Sequence, residues 1–231
     1  MKTYFPFIFL LVAIIFFRPA FSATLIESQE SGAGIQKTWV DGTQLRVETE
    51  DSAQYMLMDF SQHKLYLVHP ENSQVMDMSK IVAGFGADSQ DQLISRQTVL
   101  HLGKGPVIAG YQTEHYSINV NGEKCFDSFT STQAVDDFAL QAFIDGMKEM
   151  FPKNDLLMQK EDPCSKAEKI LDYKQIGLPL KISKKNSGKT YVVIKLEKNA
   201  SVPEGGFTVP QDFHIIDYGE MILRIMQQQV Q

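Results

Sequence analysis

The stretch YMLMDFSQHKLYLVHPENSQVMDMS, residues 55–79, sets Met56 two residues before Met58 and Met76 two before Met78, with His63 and His69 between the pairs. Thioethers and imidazoles together are ligands for soft copper(I). The same spacing is that of one face of a β-strand, where every second side chain points the same way, and methionine fills irregular apolar surfaces without any metal. Each pair alternates with bulky residues, as a half-buried strand does. His63 falls in the turn SQH and His69 precedes Pro70, so neither is aimed by its position at a pair. We read the methionines as an apolar sheet face and expect no cofactor; copper handling by the methionine pairs is the competing assignment.

Other chemistry is thinner. The chain has no nucleophile elbow, HExxH, phosphate loop or dinucleotide fingerprint. IVAGFGAD carries two glycines but follows no strong buried strand, and reads as a loop. The acidic pairs Asp136-Asp137 and Glu161-Asp162 sit at an expected helix start and in a loop. There they serve as partners of the helix dipole or as solvated charge. These features point away from an enzyme.

The elements that must position these residues follow an export signal. MKTYFPFIFLLVAIIFFRPAFSA opens with Lys2, continues as an apolar run from Tyr4 to Phe17, and places Ala20 and Ser22 at the spacing signal peptidase prefers. The run is shorter than the roughly 20 residues that span a bilayer and contains Pro6. Residues 1–22 are therefore expected to be removed as a signal peptide, leaving residues 23–231 as one soluble periplasmic domain without a stable membrane span. No cysteine follows the cleavage point to be acylated. Loss of Lys2 and Arg18 moves the formal charge from −6 to about −8. An acidic chain without a Lys/Arg cluster suits neither nucleic acid nor anionic headgroups. Cys125 and Cys164 are the two cysteines. An even pair in an exported chain reads as a disulfide, against the alternative of two free buried thiols.

Turn signals divide the rest. Asp41-Gly42 and Asn121-Gly122 mark hairpins, and strands are expected over 55–60, 64–69 and 75–79, then over QTVLHL and IAGYQTEHYSINVNGEKCFDSFTS. Residues 80–96 read as a loop. Val135, Phe138, Ala142, Phe143, Met147, Met150 and Phe151 recur at helical spacing, capped by Ser131 or Thr132 and halted by Pro152. SKAEKILDYKQI is a second helix ended by Gly177, LPLKISKK and KTYVVIKLEKN form another hairpin, FTVPQDF closes the sheet, and GEMILRIMQQQ is a C-terminal helix. The fold class is α+β: a curved antiparallel β-sheet with helices packed on its concave face. The stripe on the main helix serves either a filled core or a lid over an apolar cavity, and both assignments stand at this point.

GPVIAGYQTEHYSI, GLPLKISKKNSGKTYVVIKLEKN and FTVPQDFHII resemble successive blocks of an uncharacterised bacterial periplasmic family, a domain of unknown function (DUF4412-like), related to the LolA and LolB outer-membrane lipoprotein carriers. TQLRVE and the stretch 55–78 are similar to the arginine-bearing strand and three-strand meander of those carriers. The resemblance implies a half-barrel whose concave face accepts acyl chains. Arg46 would match the arginine near which cargo binds, and Met56, Met58, Phe138, Phe143 and Met147 would line the space. The expected function is non-enzymatic: an exported protein holding a hydrophobic or acylated ligand, a lipid or an acylated protein, or an envelope protein partner. A structural or interaction module with a filled core and no small ligand is the further alternative.

Overall fold

The computed structural model describes residues 22–80, 97–150, 163–185 and 187–221. Residues 1–21 of the expected signal, 81–96 of the expected loop, Phe151, Pro152, Glu161-Asp162 and most of the expected C-terminal helix lie outside the described residues.

Among the described residues twelve strands form one open sheet. In chain order they are β1 (Ser22–Glu30), β2 (Ile35–Asp41), β3 (Gln44–Thr49), β4 (Tyr55–Asp59), β5 (Lys64–His69), β6 (Gln74–Asp77), β7 (Gln97–Ile108), β8 (Tyr111–Val120), β9 (Glu123–Ser131), β10 (Leu178–Lys184), β11 (Thr190–Ser201) and β12 (His214–Asp217). Their order across the sheet is β12-β6-β5-β4-β3-β2-β1-β11-β10-β9-β8-β7. Neighbours run antiparallel except β12, which pairs with β6 in parallel. That pairing corrects the expected closing strand. FTVPQDF forms no strand; Pro203 and Pro210 bracket an irregular stretch without the donors a ladder needs, and the strand is the HIID that follows. β7 is also longer than expected, running through GKGPVI. It lies at the sheet edge, where proline is tolerated and register shifts absorb the extra residues.

The hairpins fall where their turn residues demand them. Asn121 and Gly122 both adopt positive φ, at 54° and 82°, the geometry of a two-residue turn that matches strand twist. Ala109 and Gly110 do the same between β7 and β8, at 47° and 85°. An Ala-Gly turn carries a far weaker sequence signal.

Among the described residues four helices lie between β9 and β10: α1 (Thr132–Asp137), α2 (Gln141–Met150), α3 (Pro163–Ile170) and α4 (Tyr173–Ile176). The single helix expected over 135–151 is thus two. Ser131 caps α1, its hydroxyl accepting from the Ala134 amide at 3.3 Å. The chain then turns through Ala139 at φ 52°, with the Leu140 amide bonded back to Val135 at 3.0 Å. This break points Leu140 inward, where it is fully buried. It leaves Asp136 and Asp137 at the end of α1 rather than its first turn, so they are not partners of its positive pole. Ala142, assigned to the apolar stripe, is exposed.

The main core lies between this helical pair and one sheet face. It joins Leu65 of β5, Leu45 of β3, Val40 of β2, Ile26 of β1, Val193 of β11 and Leu180 of β10 to Val135, Phe138, Leu140, Phe143 and Ile144. Seven consecutive strands laid flat would be about 29 Å wide, against about 15 Å for a ten-residue helix. The sheet therefore bends around the helices, and bulges in the β1–β11 and β9–β10 ladders help it do so. A second cluster packs α3 and α4 on β8, β9 and β10 through Ile118, Phe126, Ala167, Leu171, Ile176 and Ile182.

Cys125 of β9 and Cys164 of α3 form a disulfide, as expected. With the half-cystines 39 positions apart in the sequence, the cross-link removes about 4 kcal/mol of chain entropy from the unfolded state. Mutating both cysteines to alanine should lower the free energy of unfolding by about 2–4 kcal/mol, read from urea melts of oxidised wild type and variant. Coincident melts would show that α3 is held by its apolar contacts alone.

Candidate functional site

Cross-strand register decides where the methionines go. On the helix-facing side of the sheet, one row runs Val47, Met56, Leu67, Met76, and the next runs Leu45, Met58, Leu65. The Met78 amide bonds to the Leu65 carbonyl at 2.8 Å, which puts Met78 beside Leu65. The four methionines thus surround Leu65 and Leu67 on a single face. Met56, Met58 and Met78, together with Met147 of α2, are half-buried side chains packed against the main core. The apolar face expected from alternation is present.

His69 differs from its expectation. It shares that face with Leu67, and its Nε2 lies 3.2 Å from the Met76 Sδ. Proline at position 70 does not turn it away, because His69 is the last residue of β5 and its side chain still follows the strand alternation. His63, by contrast, is exposed in a turn at φ 52°.

Phe143 and Phe138 are interior side chains rather than liners of an open space. The Phe143 ring stands 5.9 Å from that of Phe60, and a Cβ built at Gly146, one turn along α2, would sit 2.5 Å from the Phe60 Cβ. α2 therefore lies as close to the sheet as a helix backbone allows. Phe138 packs edge-on to Tyr111 at 5.9 Å, and the Thr24 hydroxyl donates to its carbonyl. The Tyr111 hydroxyl is held above its usual range by burial, then by its hydrogen bond to Asp137. The adaptable part of the site is the methionine strip beyond these rings.

Arg46 stands apart from the other five residues. Its row is Trp39, Arg46, Leu57, Tyr66, Asp77, on the opposite face of the sheet. Residues 202–213 cross that face as a strap: Val202 and Phe207 cover Leu25 and Trp39, while Val209 and Phe213 cover Leu57, Val68 and Val75. Arg46 pins it. Its Nη1 donates to the carbonyls of Glu204 at 3.1 Å and Gly206 at 2.8 Å, its Nη2 and Nε reach the Glu48 carboxylate at 2.6 and 2.8 Å, and its guanidinium lies 4.0 Å from the Tyr55 ring centre. Gly205 and Gly206, at φ 82° and 56°, make the turn that presents the two carbonyls. Burial pushes the Tyr55 hydroxyl up, outweighing the opposing field of Arg46. FTVPQDF reads as strand by composition, which hides the strap; the signal that could reveal it is the two-residue spacing of Phe207 and Val209 beside two prolines.

Among the described residues no group of three His, Cys, Asp or Glu side chains is placed to hold a metal. No helix among them is long and apolar enough to cross a membrane.

A curved, open, antiparallel-dominated sheet with helices on its concave face and an apolar methionine strip beside them defines an α+β fold. Residues 23–213 match the domain of unknown function DUF4412, and the chain belongs to that family. An uncharacterized conserved protein from Thermus thermophilus aligns at 8% identity and TM-score 0.42, covering 85% of this chain and 88% of that one. MucB aligns at 12% identity and TM-score 0.42, over 84% of this chain and 58% of its own longer chain. The MucA/MucB complex of Pseudomonas aeruginosa gives 12% identity, TM-score 0.41 and coverages of 84% and 57%. No curated protein matches the sequence.

Proposed function

We propose that the protein is an exported, non-enzymatic binding protein of the periplasm. It takes an acyl chain, or the apolar side chains of an envelope partner, on the methionine strip beside α2. The observation that supports this reading is the change in side-chain type across one face. Where β1, β2 and β11 meet the helices, the core is closed by buried Ile26, Val40 and Val193. Toward β4, β5 and β6 it gives way to the half-buried Met56, Met58, Met76, Met78 and Met147. Unbranched thioethers re-pack at little cost, which suits a surface that meets chains of varying shape.

The test is titration of the intact oxidised protein with a fluorescent fatty-acid probe, alongside native mass spectrometry of material purified from the cell envelope. Saturable binding in the micromolar range is expected. Met147→Glu should weaken it at least tenfold by setting a carboxylate at the mouth of the strip, whereas Met147→Leu should retain it. Probe binding untouched by Met147→Glu would remove the site from this face. No binding over several chain lengths would leave a filled interaction module.

A further inference from the structure

The sequence contains a histidine that the apolar reading of the methionine strip does not use. His69 ends β5 with its Nε2 3.2 Å from the Met76 Sδ. We propose that His69 and Met76, joined by Met56 from the next strand, form a binding site for a soft monovalent cation, copper(I) or its silver(I) analogue. The inference does not rest on acyl-chain binding, although Met56 and Met76 belong to the methionine strip as well.

Three observations carry it. The first is the separation of the two donor atoms. A nitrogen and a sulfur bound to one tetrahedral ion at about 2.0 and 2.3 Å stand about 3.5 Å apart. The pair needs to open by only a few tenths of an ångström to admit the ion between them. The second is register. Met56 and Met76 are the two cross-strand partners of Leu67, one on each side of β5. His69 lies two residues along from Leu67 on the same face, diagonal to both methionines and within reach of their long side chains. One imidazole and two thioethers from three adjacent strands can thus converge over Leu67.

The third is the chemistry of the donors. Nitrogen and thioether sulfur select copper(I) over hard cations, which require carboxylate or carbonyl oxygen. Both cysteines of the chain are held in the disulfide, so no thiolate competes for the ion. His69, Met56 and Met76 are all half-buried. The ligands are therefore partly sheltered from water but open enough for an ion to enter. Because they project from a hydrogen-bonded sheet, binding requires rotamer changes and no backbone movement.

The experiment is an anaerobic competition titration of intact oxidised protein against a chromogenic copper(I) chelator. One equivalent should be taken up by the wild type. Met76→Leu and His69→Gln should each weaken the site at least tenfold, while Met58→Leu should leave it unchanged. Leucine approximates methionine in volume, and the urea midpoint of Met76→Leu, expected to match wild type, separates loss of a ligand from loss of fold. X-ray absorption of the loaded protein should show both nitrogen and sulfur neighbours. His69→Gln should also bind the fatty-acid probe as wild type does, so the copper site and the acyl-chain reading succeed or fail separately. Absence of chelator-competitive binding, or equal affinity in wild type and Met76→Leu, would overturn the proposal.

Discussion

Phe143→Asp is expected to abolish the cooperative fold, while Phe143→Leu lowers stability by about 1–2 kcal/mol and leaves the protein folded. Phe143 is 8% exposed and faces Phe60 across the narrowest part of the helix–sheet contact, where even a methyl group at Gly146 has no room. Removing a buried aromatic ring costs about 3–5 kcal/mol. Placing an unpaired carboxylate in the same position adds several more, because water cannot reach it and the buried cluster around it is apolar. The total approaches the whole stability of an ordinary domain, about 5–15 kcal/mol. Circular dichroism and urea melts of both variants check this. A folded aspartate variant would mean that Phe143 lines a wet space, and the ligand site would then extend under α2 instead of stopping at the methionine strip.

Arg46→Ala should cost about 3–5 kcal/mol, the range for removing one partner of a buried charged network. Arg46 is 5% exposed, and its guanidinium serves four groups: Glu48, the Glu204 and Gly206 carbonyls, and the Tyr55 ring. Its loss leaves two inward-facing carbonyls without their donor and withdraws the ring's cation. The damage should concentrate in the strap. Hydrogen exchange of residues 203–213 is expected to accelerate far more than that of β1 or β11, and limited proteolysis should cut there first. Arg46→Lys should rescue little, since an ammonium cannot reproduce the planar fork that meets carboxylate and carbonyls together. Uniform loss of protection over the whole sheet would show that Arg46 supports global packing and not the strap. Fatty-acid binding that depends on Arg46 while the strap stays in place would return this residue to the ligand site.

Much of the architecture is legible in the sequence because local chemistry dictates it. Asn121-Gly122 has to turn, alternation has to put Met56 and Met58 on one side, Ser131 is a ready cap, and two cysteines in a chain whose opening reads as an export signal point to one bond. What escapes depends on distant partners. Arg46 can be placed on a strand, but its face matters only because residues 204 and 206, about 160 positions away, fold back onto it. The split between α1 and α2 is hidden because Ala139 takes the left-handed conformation without the glycine that usually announces it. β12 is hard to foresee because a four-residue parallel edge strand has no turn of its own and borrows its place from β6. His69 misleads because the proline after it marks the end of its strand, and a strand's last residue gives no sign of what its side chain will meet across the sheet.

The position of β1 sets the timetable by which the molecule can form. This strand, the earliest of the twelve to leave the ribosome, lies in the interior of the sheet, between β2 and β11, with Ser22 opposite Ser201 and Glu30 opposite Tyr191. The meander from β1 to β6 can pair from local contacts, and so can the block from β7 to β9. Within the sheet the two halves join across the β1–β11 ladder, whose second partner is the eleventh strand to be made. Loop closure of that length is slow, and until it occurs the chain has an exposed apolar seam along β1. A protein wired this way postpones its native state until β11 has been synthesised, the schedule needed by any polypeptide that must thread a narrow pore before it folds.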